Sequence, residues 1–195
     1  MTWEKVDIGK IAKRLQTGNT PPTKQREYFD GDVKWITPSD LNGQKFIRTA
    51  KNTITRLAFD DNKAVRFEAN SLLINCIGDI GRVGKITEEA SSNQQLTALM
   101  PTKDVSVDYL YYWFLGNKKV LEHYSNNAVV PILNNRTLSS IKLPLPPLPV
   151  QERIAEILDA ADALRQKDQA LLKKYDELTQ SLFLDMFGDP VTNPK

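Results

Sequence analysis

Cysteine and histidine are nearly missing from this chain: 195 residues contain one of each, Cys76 and His123. A lone cysteine excludes an internal disulfide framework and any cysteine-rich zinc site. Cys76 lies in the apolar run Ser71-Leu-Leu-Ile-Asn-Cys-Ile77, where a thiol is expected as a buried packing group. His123, in Glu122-His-Tyr124, has no second histidine to complete a triad or a metal pair, so a solvated helix residue is expected. No apolar run approaches the ~20 residues of a membrane span. The segment Thr2-Trp-Glu-Lys-Val-Asp-Ile-Gly-Lys10 lacks the apolar core of a signal peptide, so no membrane contact and a cytoplasmic location are expected. Net charge is scarce too, at +2. Its distribution says more than its sum. Residues 149–195 hold 6 Lys/Arg and 9 Asp/Glu, leaving 20 against 15 for residues 1–148. The basic excess therefore belongs to the N-terminal part, where a nucleic-acid footprint can sit.

The chain changes character at Leu143-Pro-Leu-Pro-Pro-Leu-Pro149. Four prolines in seven positions continue neither a helix nor a central strand, which predicts an extended connector. Before it, short β-like runs alternate with turn signals: Val33–Thr37, Ser71–Ile77, Gly81–Thr87 and Leu96–Met100. One stretch reads as a helix, Val107–Leu115 continuing towards Tyr124, with Leu110, Phe114 and Leu121 spaced for a face packed on a sheet. The fold class expected is α+β: a mixed globular domain over 1–148, a long helix over 149–188, and a tail at 189–195.

From Val150 to Phe187 there is neither glycine nor proline, and Gly188-Asp-Pro190 supplies a stop. Ile154, Ile157, Ala161, Leu164, Leu171, Tyr175, Leu178 and Leu182 step by threes and fours, with Asp168 at the one missing position. That is a heptad seam with period 3.5. A helix of this length runs ~55 Å, more than a domain of this size is wide, so it is expected to project. A 3.5 repeat suits helix-on-helix packing better than folding back on a sheet. These eight residues are accordingly the candidate pairing surface, with Asp168 as a register-setting polar position.

Catalytic motifs fail one by one. Gly78-Asp-Ile-Gly-Arg-Val-Gly-Lys85 has the wrong glycine spacing for a phosphate loop, and Ile86 follows its lysine. A tight turn between strands fits it better. Asn19-Thr-Pro-Pro-Thr23 misses the Asn-Pro-Pro-aromatic loop of a DNA methyltransferase by an inserted Thr20 and an absent aromatic. A metal-dependent nuclease can be assembled on paper from Asp40, Asp61 and Lys63, but Phe59-Asp-Asp-Asn-Lys63 has the composition of an exposed turn. No catalytic residue, metal ligand or cofactor site is expected. What remains is a set of loops mixing the residue types that hold phosphates or read base edges. From them come the candidate DNA contacts Asn19, Thr20, Lys24, Gln25, Arg26, Asn42, Gln44, Lys45, Arg48, Ser92, Asn93, Asn135 and Arg136, with Arg82 from the glycine-rich turn.

Several stretches together resemble the target-recognition domain family of type I restriction-modification specificity subunits. They are Gly18-x-Thr-Pro21, Trp35-Ile-Thr-Pro-Ser-Asp40, Cys76-Ile-Gly78 with Gly81 and Gly84, and Asn93-Gln-Gln95. The most specific is Ile141-Lys-Leu-Pro-Leu-Pro-Pro147 leading into Gln151-Glu-Arg-Ile-Ala-Glu-Ile-Leu158. The resemblance implies a non-catalytic subunit that reads one half of a bipartite double-stranded DNA site. It also implies docking to modification (methyltransferase) subunits, which supply S-adenosylmethionine, and to a restriction subunit. Family members usually carry two such units whose long helices pair antiparallel. This chain carries one, so a homodimer through the helix is expected, and both a natural half-subunit and a fragment of a longer chain fit. A different class of reading is a coiled-coil scaffold whose globular domain binds protein; salt-dependent duplex binding separates the two.

Overall fold

Residues 3–126 and 129–188 are described by a computed structural model; the predicted tail at 189–195 lies outside them. In chain order the elements are β1 (Lys5–Asp7), α1 (Ile8–Ile11), β2 (Ala12–Thr17), β3 (Phe29–Ile36), β4 (Asn52–Ile54), α2 (Leu57–Asp60), β5 (Leu72–Asn75), β6 (Val83–Lys85), β7 (Ala90–Ser92), β8 (Leu96–Pro101), α3 (Val107–Gly116), α4 (Lys118–Tyr124), α5 (Asn135–Ser140), β9 (Lys142–Pro144) and α6 (Leu148–Phe187). The class is α+β, as expected.

An unbroken apolar run without helical length makes a strand buried on both faces, and β5 is that strand: all four of its residues are buried. It lies between β8 and β6 in an antiparallel sheet ordered β2-β8-β5-β6. The glycine-rich segment before Lys85 is the turn of the β5–β6 hairpin, with Gly78 and Gly81 at φ +81° and +84°, a conformation glycine adopts without Cβ strain. A second sheet, β4-β3-β7, pairs β3 antiparallel to β4 and parallel to β7. Leu73, Leu96, Ala98 and Met100 of the first sheet share one core with Ile36 and Ala90 of the second and with the intervening Leu41, Ile47, Phe67 and Ile86. A satellite core of Tyr28, Val33, Ile54, Ala58 and Phe59 sits under α2. Leu110 and Phe114 of α3 and Leu121 of α4 are fully buried, as their spacing predicts.

Two expectations need correction. The helix from Val107 does not continue to Tyr124: it stops at Gly116, and a new helix starts at Lys118. Asn117, at φ −116° and ψ 26°, turns its side-chain amide back onto the Trp113 carbonyl at 2.8 Å and ends the first helix. The proline-rich connector is shorter than its composition suggests. Lys142–Pro144 pairs with β1 as an edge strand, which tolerates proline, and α6 begins at Leu148 with Pro149 in its first turn.

The chain divides into two compact units, Met1–Arg153 and Ile154–Lys195. The first turn of α6 belongs to the first unit, and Gln151 is what fastens it. This side chain is 1% exposed; its Oε1 accepts the Ser106 N–H at 2.9 Å and its Nε2 donates to the Pro146 carbonyl at 2.8 Å. Ser106 in turn caps α3. In the second unit α6 ends as the glycine predicts. Gly188 lies at φ +77° and donates to the Leu184 carbonyl at 2.8 Å. No helix among the described residues is long and apolar enough to cross a membrane.

Candidate nucleic-acid interface

The turn after β2 is the hinge of the site. A Cβ on Gly18 would collide with the Ser92 hydroxyl and carbonyl and lie 2.6 Å from the Asn93 carbonyl, so only glycine lets the two loops touch. Beyond it the Thr20 hydroxyl reaches Gln94 Oε1 at 2.8 Å. Asn19 is fastened on the other side: its Nδ2 donates to the Lys63 carbonyl at 2.7 Å, and its Oδ1 accepts the Val65 N–H at 2.8 Å. The indole N–H of Trp35 donates to the Asn19 carbonyl at 3.2 Å. Three segments far apart in sequence thus meet at residues 18–20.

One flank of this ridge is a neutral pocket of about 250 Å³, into which Thr17, Gln94, Thr97, Asn134 and Asn135 converge. Asn135 Oδ1 lies 3.1 Å from the Thr17 hydroxyl and 3.0 Å from that of Thr97. Asn134 caps α5 by accepting the Thr137 N–H at 2.9 Å. Cys76 forms part of the pocket wall; burial pushes its thiol up to about 11, so it is a packing group and not a nucleophile.

Of the predicted contacts, Asn135 lines this pocket, Thr20 reaches it through its bond to Gln94, Asn19 anchors the turn beside it, and Lys24, Gln25, Arg26 and Arg136 are exposed. Ser92 and Asn93 are drawn into the scaffold. Ser92 is fully buried, and Asn93 is spent on Gln95, donating to its Oε1 at 2.9 Å and accepting its N–H at 3.1 Å. Arg82 donates to the Leu41 carbonyl and pairs with Asp79, so it ties the hairpin to the 41 region. The 42–48 loop is held by other contacts, through Ile47 N to the Lys85 carbonyl at 2.9 Å. Asn42 and Gln44 are exposed, closing a local turn by an Asn42 Oδ1 to Gln44 N–H bond, and Arg48 stacks on Phe46. Lys45 is 8% exposed, with its ammonium 2.9 Å from Asp108. Lys85 joins the same carboxylate at 3.0 Å. Burial pushes the Asp108 carboxyl up, but its bonds to Lys45 and Lys85 and their charge outweigh that and hold it below the usual carboxylate range. Lys45 is a buried ion-pair residue rather than a solvent-facing contact.

The carboxylates of the nuclease alternative are occupied structurally. Asp40 Oδ2 accepts the Thr37 N–H and hydroxyl, both at 2.8 Å, and its Oδ1 accepts the Lys51 N–H at 3.0 Å. Asp61 caps α2 and accepts the Tyr28 hydroxyl at 2.9 Å. No group of three His, Cys, Asp or Glu that could hold a metal exists among the described residues. Two residues here were not among the candidate contacts: Gln94, whose place in the Gln-Gln pair of Asn93-Gln-Gln95 hides which glutamine faces outward, and Thr97, which lies inside an apolar strand.

A mixed-sheet domain that gathers neutral amide and hydroxyl side chains around one pocket is followed in the chain by a 40-residue helix. The family follows from comparison. The model of the type I restriction modification DNA specificity domain matches residues 1–174, and the chain belongs to that family. It is 29% identical over 200 residues to the type I restriction enzyme MjaIX specificity subunit of Methanocaldococcus jannaschii, covering 95% of this chain and 45% of that one. It is 27% identical to the EcoR124I/EcoR124II specificity subunit of Escherichia coli, over 90% and 45% of the two chains. The fold matches a solved chain of a type I R-M system at TM-score 0.69 and 18% identity, over 95% of this chain and 43% of that one. It also matches the HsdS subunit of Thermoanaerobacter tengcongensis at TM-score 0.64 and 18% identity, over 89% and 40%. The chain thus spans less than half the length of the relatives it matches.

Proposed function

We propose that this chain reads one half of a bipartite duplex DNA site for a type I restriction-modification complex and performs no chemistry itself. The observation that carries this is the meeting of Thr17, Gln94, Thr97 and Asn134–Asn135 around one neutral pocket, with Thr20 bonded to Gln94. Amide and hydroxyl groups of this kind read base edges, while the exposed Lys24, Arg26 and Arg136 act on the backbone. Two copies pair antiparallel through Ile154, Ile157, Ala161, Leu164, Leu171, Tyr175, Leu178 and Leu182, so that two recognition domains stand apart over an unread spacer. The helices dock the modification subunits, which carry S-adenosylmethionine, and a restriction subunit joins to cut unmodified DNA. The work takes place where that DNA is, in the cytoplasm.

The test is selection from random duplexes with the full chain, alone and with a type I modification subunit. The expected result is a short motif repeated in inverted orientation across a fixed spacer. Enrichment of no motif under either condition overturns the reading. A heptad of the same pattern inserted between Gln166 and Lys167 lengthens each helix by ~10 Å. The half-sites then stay the same and the spacer grows by ~3 bp, with weaker binding because ~3 bp turns the half-sites by roughly 100°. An unchanged spacer removes the helix as the ruler.

A further inference from the structure

The 18–20 ridge has a second flank, and its chemistry differs from the first. It is a concavity of about 400 Å³ whose side chains include Arg14, Gln16, Asn19, Asn62 and Arg66, with Phe59 as its aromatic wall. No acidic side chain lines it. Arg14 and Gln16 fall two apart on β2 and share a face, whereas Thr17 turns to the neutral pocket on the opposite face. One strand therefore feeds both flanks. The Arg66 guanidinium lies 4.8 Å over the Phe59 ring, and one nitrogen is 3.5 Å from a Glu89 oxygen. Those two contacts fix its plane, while a guanidinium has five N–H donors in all. Asn19 is pinned between Lys63 and Val65, and Asn62 sits at φ +54°, a left-handed turn position that asparagine tolerates. The wall is thus set by the anchored Asn19 amide and the turn at Asn62.

The geometry points to this concavity as the seat of a backbone phosphate of the duplex, beside the neutral pocket that faces the bases. Two planar forks with neutral amides between them match a tetrahedral oxyanion, which guanidinium holds bidentately. The placement rests on the DNA-reading proposal and adds to it a division of labour across Gly18. Arg14 and Arg66 fix register on the backbone, and Gln94 and Asn135 face the sequence. No local composition marks Arg14 or Arg66; β2 and the 62–66 turn meet only through the fold.

The experiment measures duplex affinity of the full chain by fluorescence anisotropy across a salt series, for wild type, Arg14→Gln, Arg66→Gln, the double variant and Arg66→Lys. Each Gln variant is expected to flatten the log–log salt slope by about 1. If all forms converge near about 1 M salt, the double variant binds about 60-fold more weakly near about 0.1 M. The loss is the same on the selected site and on a scrambled duplex, because a phosphate contact carries no sequence information. Arg66→Lys keeps the slope, which a purely structural role for the Phe59 stack does not explain. Salt slopes of both Gln variants equal to a duplex-binding wild type overturn the phosphate seat and leave the DNA-reading proposal standing. A wild type that binds no duplex at low salt overturns both. Arginine-dependent binding of inorganic phosphate without duplex binding assigns the concavity to a small ligand and likewise overturns it.

Discussion

The two units of this chain treat their apolar residues in opposite ways. Met1–Arg153 buries a core of its own, in which Phe67, Phe114, Leu72 and Ile74 are below 2% exposed. In the helix beyond Arg153 the seam stays open: Ile157 is 55% exposed, Leu164 61% and Tyr175 57%. The end of the helix is apolar on more than one face, with Phe183, Leu184, Met186 and Phe187 all exposed. A helix apolar on one stripe needs one partner surface, and one apolar all round is normally buried. The contrast separates a unit that buries a core of its own from one that leaves an apolar seam open.

The largest expected effect tests the incomplete half. Replacing Leu164 and Leu171 together with Asp places charges in the seam at a cost of several kcal/mol per interface. Sedimentation should show dimer turning into monomer while the circular dichroism melt of the globular unit stays unchanged. A wild type monomeric at tens of micromolar means that the seam waits for a different subunit, and the contrast then concerns another partner.

A smaller effect tests the self-sufficient half at its tightest point. Gly18→Ala puts a methyl group against the Ser92 and Asn93 carbonyls and should cost about 3 kcal/mol, the upper range for overpacking. It should also weaken duplex binding by parting Thr20 from Gln94. Gly116→Ala is the counterpart: nothing lies within 4 Å of the added Cβ, at the end of α3, so stability should hold or rise by a few tenths of a kcal/mol. Equal effects of the two would show that the 18–20 turn yields, and the two flanks would lose their common hinge.

The long helix, the buried β5 run and the β5–β6 turn were legible in the sequence because each is written in consecutive residues: absence of breakers, apolarity or glycine placement. The parallel β3–β7 pairing was not, since it joins Lys34–Ile36 to Ala90–Ser92 without any local signal. Composition likewise placed Lys45 among solvent-facing contacts, because its loop is polar and Asp108 lies far along the chain. For the same reason Asn135 stood out while its partners Thr17 and Thr97 did not. Residue type marks what a side chain can do, and only long-range packing decides whether it faces water.

A weaker destabilisation than that of Gly18→Ala concerns that misplaced lysine and sets how firmly the 42–48 loop belongs to the core. Asp108→Asn keeps the shape but removes the carboxylate that Lys45 and Lys85 share. Breaking a fully buried pair costs about 3–5 kcal/mol. Asp108 is 32% exposed and solvent screens part of its attraction, so about 1–2 kcal/mol is expected. The folded-state carboxyl is held below its unfolded value, so its contribution is fully present above the unfolded range, roughly pH 4. It fades as pH falls through the folded value, where wild-type Asp108 becomes a neutral carboxylic acid much like the asparagine. Urea unfolding at neutral pH should therefore separate the two proteins, and the gap should narrow as pH is lowered below the unfolded range. A gap that is constant across that range would assign the loss to packing of the amide rather than to charge. Lys45 would then be free to move to the surface, and its place among the DNA contacts would reopen.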